Sequence, residues 1–222
     1  GGGGGAARYE PVGVLVGHLE GITHIDSFGD GRYFISNSKD QSVKLWDMRC
    51  MRSAADAAAA AARHAASGYD YRYGIAGAAA LFGNGTHRSS ALRRTFNGMR
   101  RHAADASLMT YRGHHQVFQT LIRAYVSPAA TTGQRYIACG SFDGAVYVYD
   151  VLTGELVYDL PGHRKLVRDV SWHPTRMQLA SASWDGTVRL HTVAGAAPKP
   201  LAERAERADY VRMRTSRARY GW

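Results

Sequence analysis

Three histidine–aspartate pairs, each with a hydroxyl or thiol between them, are the residues of this chain best placed to do chemistry. His18, Ser36 and Asp40 form the first set, His114, Cys139 and Asp143 the second, and His163, Ser181 and Asp185 the third. A serine or cysteine with a histidine and an aspartate is the equipment of nucleophilic acyl transfer. The spacing argues against that reading. His18 stands as far from Asp40 as His163 does from Asp185, and the His114–Asp143 interval is the same with a seven-residue insertion. The Ser or Cys always falls four residues before the Asp, and Trp46, Tyr149 or His191 always falls six after it. A site occurs once, whereas a pattern written three times is a structural repeat. There is no nucleophile elbow, no phosphate loop and no pair of carboxylates outside turns. No Cys-x-x-Cys or His-x-x-x-His ligand spacing exists, and the three histidines fall one per unit, so neither metal nor cofactor is expected. The chain reads as a non-enzyme.

The same residues have a structural use. A buried aspartate must be paired. An imidazole can donate to it and accept from a hydroxyl, which ties neighbouring strands together. The elements that would position such a network are strands. Val12–Val16, Ile22–Asp26, Arg32–Asn37 and Ser42–Asp47 alternate or run apolar, separated by Gly- and Asp-bearing turns. Leu108–Tyr111, Thr120–Val126, Gln134–Gly140, Ala145–Asp150 and Glu155–Leu160 continue the pattern, followed by Leu166–Trp172, Met177–Ala182 and Thr187–Val193. A Gly17-His18, two strands and a closing Trp46-Asp47 resemble one blade of a WD-repeat β-propeller. On that resemblance His18, Ser36, Asp40 and Trp46 form a complete hydrogen-bonded tetrad. His114 and Asp143 belong to a second with Cys139 and Tyr149 substituted. His163, Ser181 and Asp185 belong to a third in which His191 replaces the tryptophan. The substituted units are expected to be weaker.

Five segments follow: a disordered glycine-rich start (1–8), a first WD unit (9–49), a low-complexity insertion (50–106), second and third units (107–194) and a basic mobile tail (195–222). Within the insertion Ser53–Ala66 is mostly alanine and predicts a helix, with Ser53 as N-cap and Gly68 as stop. Tyr69–Tyr73 is an aromatic island, and Gly83–Arg101 reads as loop. The formal charge of +10 sits mostly outside the repeats: +5 in residues 50–108 and +4 in 195–222, against −1 in 1–49 and +2 in 109–194. A nucleic-acid-binding propeller face would carry the charge itself, so nucleic acid is not the favoured partner. The tail arginines Arg204, Arg207, Arg212, Arg214, Arg217 and Arg219, interspersed with acids, keep an RNA- or anionic-surface-binding alternative open. The two cysteines, Cys50 and Cys139, are too few for a disulfide framework, and no apolar run is long enough to cross a membrane. The cysteine count predicts a reducing compartment; cytoplasm and nucleus are the expected location.

Longer strings narrow the resemblance. Ser36-Asn37-Ser38-Lys39-Asp40-Gln41, Lys44-Leu45-Trp46-Asp47, Ser107-Leu108-Met109-Thr110-Tyr111-Arg112-Gly113-His114, Val167-Arg168-Asp169-Val170-Ser171-Trp172-His173-Pro174 and Ser183-Trp184-Asp185-Gly186 are similar to the family of WD repeat protein twenty-three, also called DDB- and cullin-associated factor eleven. Plant relatives belong to the same family. The resemblance implies an all-β, partial WD-repeat propeller: about three blades of a family that has seven, expected to be the C-terminal part of a longer chain or an incomplete gene model. It also implies a substrate receptor of cullin-4 RING ubiquitin ligases, docking on the damaged-DNA-binding-protein adaptor through a Trp-Asp-x-Arg box. Here that box is Trp46, Asp47, Met48 and Arg49, so Trp46, Asp47 and Arg49 are the expected adaptor contacts, with a protein substrate and no membrane. A generic WD scaffold in another complex is the remaining alternative.

Overall fold

The computed structural model describes residues 11–65 and 104–192. The glycine-rich start, the Tyr69–Tyr73 string, the Gly83–Arg101 loop and the basic tail lie outside them. Among the described residues the alternating segments form three antiparallel sheets. The first joins β1 (Ile22–Ser27), β2 (Tyr33–Ser38), β3 (Ser42–Asp47) and β4 (Met109–Arg112) in sequence order. The second joins β5 (Ala124–Val126), β6 (Tyr136–Cys139), β7 (Val146–Asp150) and β8 (Leu156–Leu160), and the third β9 (Val167–Trp172), β10 (Gln178–Ser183) and β11 (Val188–Thr192). This all-β, partial propeller is the expected fold class. β-Branched and aromatic residues at alternate positions give each strand two usable faces.

The faces explain the stacking. Ile35, Val43 and Tyr111 of the first sheet pack on Ile137, Cys139, Tyr147 and Tyr149 of the second. Tyr136, Ala138, Val146 and Val148, which point the other way, pack on Val167, Val170 and Leu179 of the third. The second sheet is therefore buried on both faces. The third is not: Val188 falls at the position of Val43 and Val146, both fully buried, yet is 74% exposed, and Leu190 beside it is exposed too. That face has the composition of one that packs against a further sheet.

Two expected strands shrink most. Val12–Val16 reduces to one bridge, Val14 to Arg52, because its neighbours are the two roots of the insertion rather than a strand. Val14 exchanges both backbone bonds with Arg52 at 3.0 and 2.9 Å, and Ala106 donates to Val16 at 2.8 Å. Thr120–Val126 shortens to Ala124–Val126, since Gln119 turns the chain with a positive φ of 61°. The alanine run forms α1 (Ala54–Ala65), started by Ser53, whose Oγ accepts from the Asp56 amide at 3.2 Å and donates to its carboxylate at 2.7 Å. Ala57 buries against Val16 and Ala104. The turn expected at Ser127-Pro128 leads into a short helix, α2 (Ala129–Thr132).

Hydrogen bonds hold the sheets where the repeat predicts them in two cases of three. His18 Nδ1–H donates to Asp40 Oδ2 at 2.9 Å, Ser36 Oγ–H donates to His18 Nε2 at 2.6 Å, and Trp46 Nε1–H donates to Ser36 Oγ at 2.7 Å. The hydroxyl thus accepts from the indole and passes its own proton's bond to the imidazole. Asp40 also takes the Leu19 amide and the Ser42 hydroxyl. Burial alone would raise the Asp40 carboxyl, but these donors outweigh it and hold it at about 2. In the third sheet His163 spans Asp185 at 3.1 Å and Ser181 at 2.8 Å, and His191 takes the indole's place at 2.9 Å from Ser181. His191 is less easily protonated than usual, chiefly through burial and then through nearby His163.

The second sheet departs from the expected pattern. His114 does not pair with Asp143; the Tyr147 hydroxyl takes that carboxylate at 2.6 Å, and the His114 ring lies against Tyr147 and Tyr149. The next residue, His115, holds the strand instead. The Tyr149 hydroxyl donates to His115 Nδ1 at 3.0 Å and accepts its amide at 3.2 Å. Burial pushes His115 down to about 3, so it is neutral. Tyrosine carries its own hydroxyl at the end of a ring, which removes the need for a serine at Cys139. Cys139 is left buried, with its thiol pushed well up by desolvation, an environment that suits packing and not nucleophilic attack.

One buried ion pair closes the first sheet behind the insertion. Lys44 Nζ donates to Asp105 Oδ2 at 2.6 Å and to Thr110 Oγ1 at 2.9 Å. Asp105 also fixes the residue before His18: a Cβ on Gly17 would collide with its carboxylate and with the Trp46 ring. Burial lowers the Lys44 pKa, with Asp105 opposing.

Two outcomes are expected. Asp40 titrates lower folded than its unfolded value near 3.8, so its contribution is complete above that pH and is lost as pH falls toward 2, on the order of 2 kcal/mol. Urea midpoints followed from pH 5 to pH 2 should therefore fall less steeply in Asp40→Asn than in the parent, and parallel curves would refute this account. Asp105→Ala strands a buried ammonium and should cost roughly 3–5 kcal/mol, whereas Lys44→Met with Asp105→Leu should cost far less. Denaturant unfolding of the single and double variants measures both.

Candidate functional site

At its far end β3 stops on Asp47, and the chain turns through a single 3-10 turn, Met48–Cys50. Asp47 causes that turn. Its Oδ1 accepts the Arg49 amide at 2.9 Å, as an N-cap does. The Asp47 side chain is only 5% exposed and receives two guanidinium groups. Arg49 reaches Asp47 through Nη2 at 2.9 Å and Nε at 3.2 Å, and Arg32, from the start of β2, reaches Oδ2 through Nε at 3.1 Å and Nη2 at 2.9 Å. Slight burial works against the Arg32 charge and Asp47 outweighs it, leaving Arg32 more firmly protonated than usual. Its guanidinium lies 4.4 Å over the Tyr33 ring. Arg49 is held but not hidden, with a side chain 67% exposed.

This geometry redistributes the expected docking residues. Trp46 is buried, stacked on Phe34 and committed to Ser36. It has no face to offer a partner. Asp47, the last residue of β3, is buried and turns in, where it positions Arg49. Of the Trp46, Asp47 and Arg49 set, Arg49 is the one that presents its charged group to solvent, between exposed Met48 and Cys50.

The second sheet repeats the support without the arginine. Asp150 is fully buried, accepts Arg135 Nε at 2.9 Å, and caps the following turn through the Leu152 and Thr153 amides at 3.0 and 3.1 Å. Burial would raise its pKa, but Arg135 and the two amides bring it below the usual carboxylate range. Leu152 takes the place of Arg49 and is 79% exposed. Arg32 and Arg135 were missed in the sequence, although each precedes its aspartate by the same 15 residues. A comparison of charged pairs between units, beyond the His–Asp spacing, would have found them.

The His18, His114 and His163 sets lie at the opposite ends of the strands from Asp47 and Asp150, and none forms a reactive cluster. Among the described residues no three His, Cys, Asp or Glu side chains gather as a metal site, and no helix is long and apolar enough to cross a membrane. A cavity of about 670 Å³ lies along β5 and β9, lined by Asp26, Tyr125, Gln134, Asp169, Trp172 and Val188 among others. Asp26, at the end of the expected strand, sits in β1 and accepts the Val126 amide at 2.8 Å, joining two sheets.

Known proteins match this chain in two ways. The WD domain, G-beta repeat model matches residues 9–47 and 154–192. Across 88% of its length the chain is 47% identical to the LEC14B homolog of Prunus armeniaca, and across 82% it is 46% identical to the LEC14B protein of Lithospermum erythrorhizon. The DDB1- and CUL4-associated factor 11 homolog of Caenorhabditis elegans is 40% identical over 82% of the chain. The chain spans 37%, 34% and 28% of the lengths of these relatives. It belongs to the WD-repeat family, as a homologue of the LEC14B and DDB1- and CUL4-associated factor 11 proteins.

Proposed function

We propose that this chain is part of a non-catalytic substrate receptor of a cullin-4 RING ubiquitin ligase, working in cytoplasm and nucleus, and that it docks on the DDB1 adaptor through Arg49. The observation that carries the reading is the exposed Arg49 guanidinium, aimed by a buried carboxylate, at a position the second sheet fills with leucine. The names of the Caenorhabditis relatives, DDB1- and CUL4-associated factor 11 homologs, support it. An arginine fixed at its Nε and one Nη loses little side-chain freedom on binding, which is the economy expected of an interface anchor. Such a receptor brings a protein substrate to the ligase, and ubiquitin transfer belongs to other subunits.

Arg49→Ala in the full-length protein is expected to lower co-purification with DDB1 by at least about tenfold, the scale of an interface arginine worth ~2 kcal/mol. Arg49→Glu should abolish it, and Arg49→Lys should retain part, because the charge survives without the fork. Binding of DDB1 by all three at the parental level would overturn the assignment. A pull-down that returned a different assembly and no cullin components would favour a WD scaffold of another complex.

A further inference from the structure

Asp47 carries more cation than it can neutralise. One carboxylate faces two guanidinium groups, and its Oδ2 alone receives Arg32 Nε and Nη2 and Arg49 Nε and Nη2, between 2.9 and 3.2 Å. A carboxylate oxygen has two lone pairs to give, so four N–H groups compete for it. At Asp47 itself the guanidinium groups exceed the carboxylate by one, and the Asp30 carboxylate, which accepts the Arg32 and Tyr33 amides, offsets part of that charge. Both arginines direct their Nε and Nη2 edges at Asp47, and each keeps its Nη1 group without a protein hydrogen bond among the described residues. The second sheet builds the same turn without the second arginine. Asp150 accepts from Arg135, and Leu152 stands where Arg49 does. The aspartate with an arginine from the start of the preceding strand is thus the structural unit, and the second arginine is what the first sheet adds to it.

We propose that Arg32 is the second half of the docking point, and that the Arg32–Arg49 pair takes a side-chain carboxylate of the adaptor. This rests on the docking reading given for Arg49. A second carboxylate turns two cations on one anion into a balanced set of two and two, and its pair of oxygens matches two Nη1 groups. Arg32 is prepared for it: Tyr33 under its guanidinium and Asp47 on its inner edge fix the plane before a partner arrives. Arg135 sits farther from its own tyrosine, at 5.8 Å. The excess charge is local, because residues 1–49 together carry −1. A single unbalanced cation on a neutral surface selects a partner by its matching anion more than it accelerates encounter.

The test compares the same substitution at the two equivalent positions. Affinity of the full-length protein for purified DDB1 is measured across a range of NaCl concentrations for Arg32→Met, Arg32→Lys, Arg135→Met and Arg49→Ala, with thermal melting of each. Arg32→Met is expected to bind about tenfold more weakly, with a shallower salt dependence, and Arg135→Met within about twofold of the parent. Arg135→Met measures what losing the structural arginine costs by itself. Arg32→Lys keeps a partner for Asp47 and loses the fork, so it should bind about threefold more weakly with an unchanged melting temperature; it carries the test if Arg32→Met fails to fold. Arg32 variants no weaker than Arg135→Met, with Arg49→Ala still impaired, would make Arg32 purely structural and leave the docking reading standing. Full binding by Arg49→Ala as well would remove both.

Discussion

A carboxylate inside a sheet cannot be left alone, and this requirement organises both ends of the first blade. Asp40 stands before β3 and Asp47 closes it, and both are buried. Each must find donors, and the donors it finds lie on other segments: His18, Leu19 and Ser42 for Asp40, Arg32 and the Arg49 amide for Asp47. The net stabilisation from such pairs is small, because desolvation consumes most of the Coulomb gain. Their mispairing is what costs. A one-residue slip of β3 against β2 would turn Trp46 away from Ser36 and strand two carboxylates at once. The aspartates therefore act mainly as register marks, and the apolar contacts between sheets supply most of the cohesion.

The three blades solve the same problem with different chemistry, and burial explains why. The middle sheet is covered on both faces, so tyrosines can replace the histidine–serine chain. Tyr147 and Tyr149 fill the space between sheets and bring hydroxyls to Asp143 and His115. The third sheet is covered on one face. It keeps the His163–Ser181–Asp185 chain, and His191 completes it where an indole stands in the first. An imidazole is smaller than an indole and fills less of the gap. The substitution thus preserves the hydrogen bond and gives up part of the packing, on the sheet that has least packing to lose.

Much of the fold was legible because the repeat enforces equal spacing. His18–Asp40 and His163–Asp185 share one interval, and the strands around them fell within a few residues of their expected places. The second blade was less legible. The Gly113-His114-His115 doublet gives two candidates for one role; the ring of His114, the nearer match to the pattern, lies against Tyr147 and Tyr149, and His115 is the one that takes the Tyr149 hydroxyl. Edges were misread where partners are not strands, as at Val14, which pairs with the roots of the insertion. At the candidate site, residue type placed Arg49 correctly on the surface. Orientation was not readable: a Trp-Asp at the last two positions of a strand looks exposed by position, and alternation alone does not show that Trp46 is spent on Ser36 or that Asp47 turns in to Arg32 and Arg49.

Holding and offering are separated in this blade by two residues. Through Asp47 every polar side chain of β3 is spent on the fold: Ser42 on Asp40, Lys44 on Asp105, Trp46 on Ser36. The first side chain past Asp47 that can carry a charge is Arg49, and the same carboxylate that ends the strand aims it. A partner that reads Arg49 therefore reads the state of the blade too. If β3 shifts or Asp47 loses its place, the arginine loses its direction, and an incorrectly folded chain presents no ordered anchor. The Leu152 turn of the second blade is built on the same support and offers no charge, so two blades share the support while the exposed arginine belongs to the first alone.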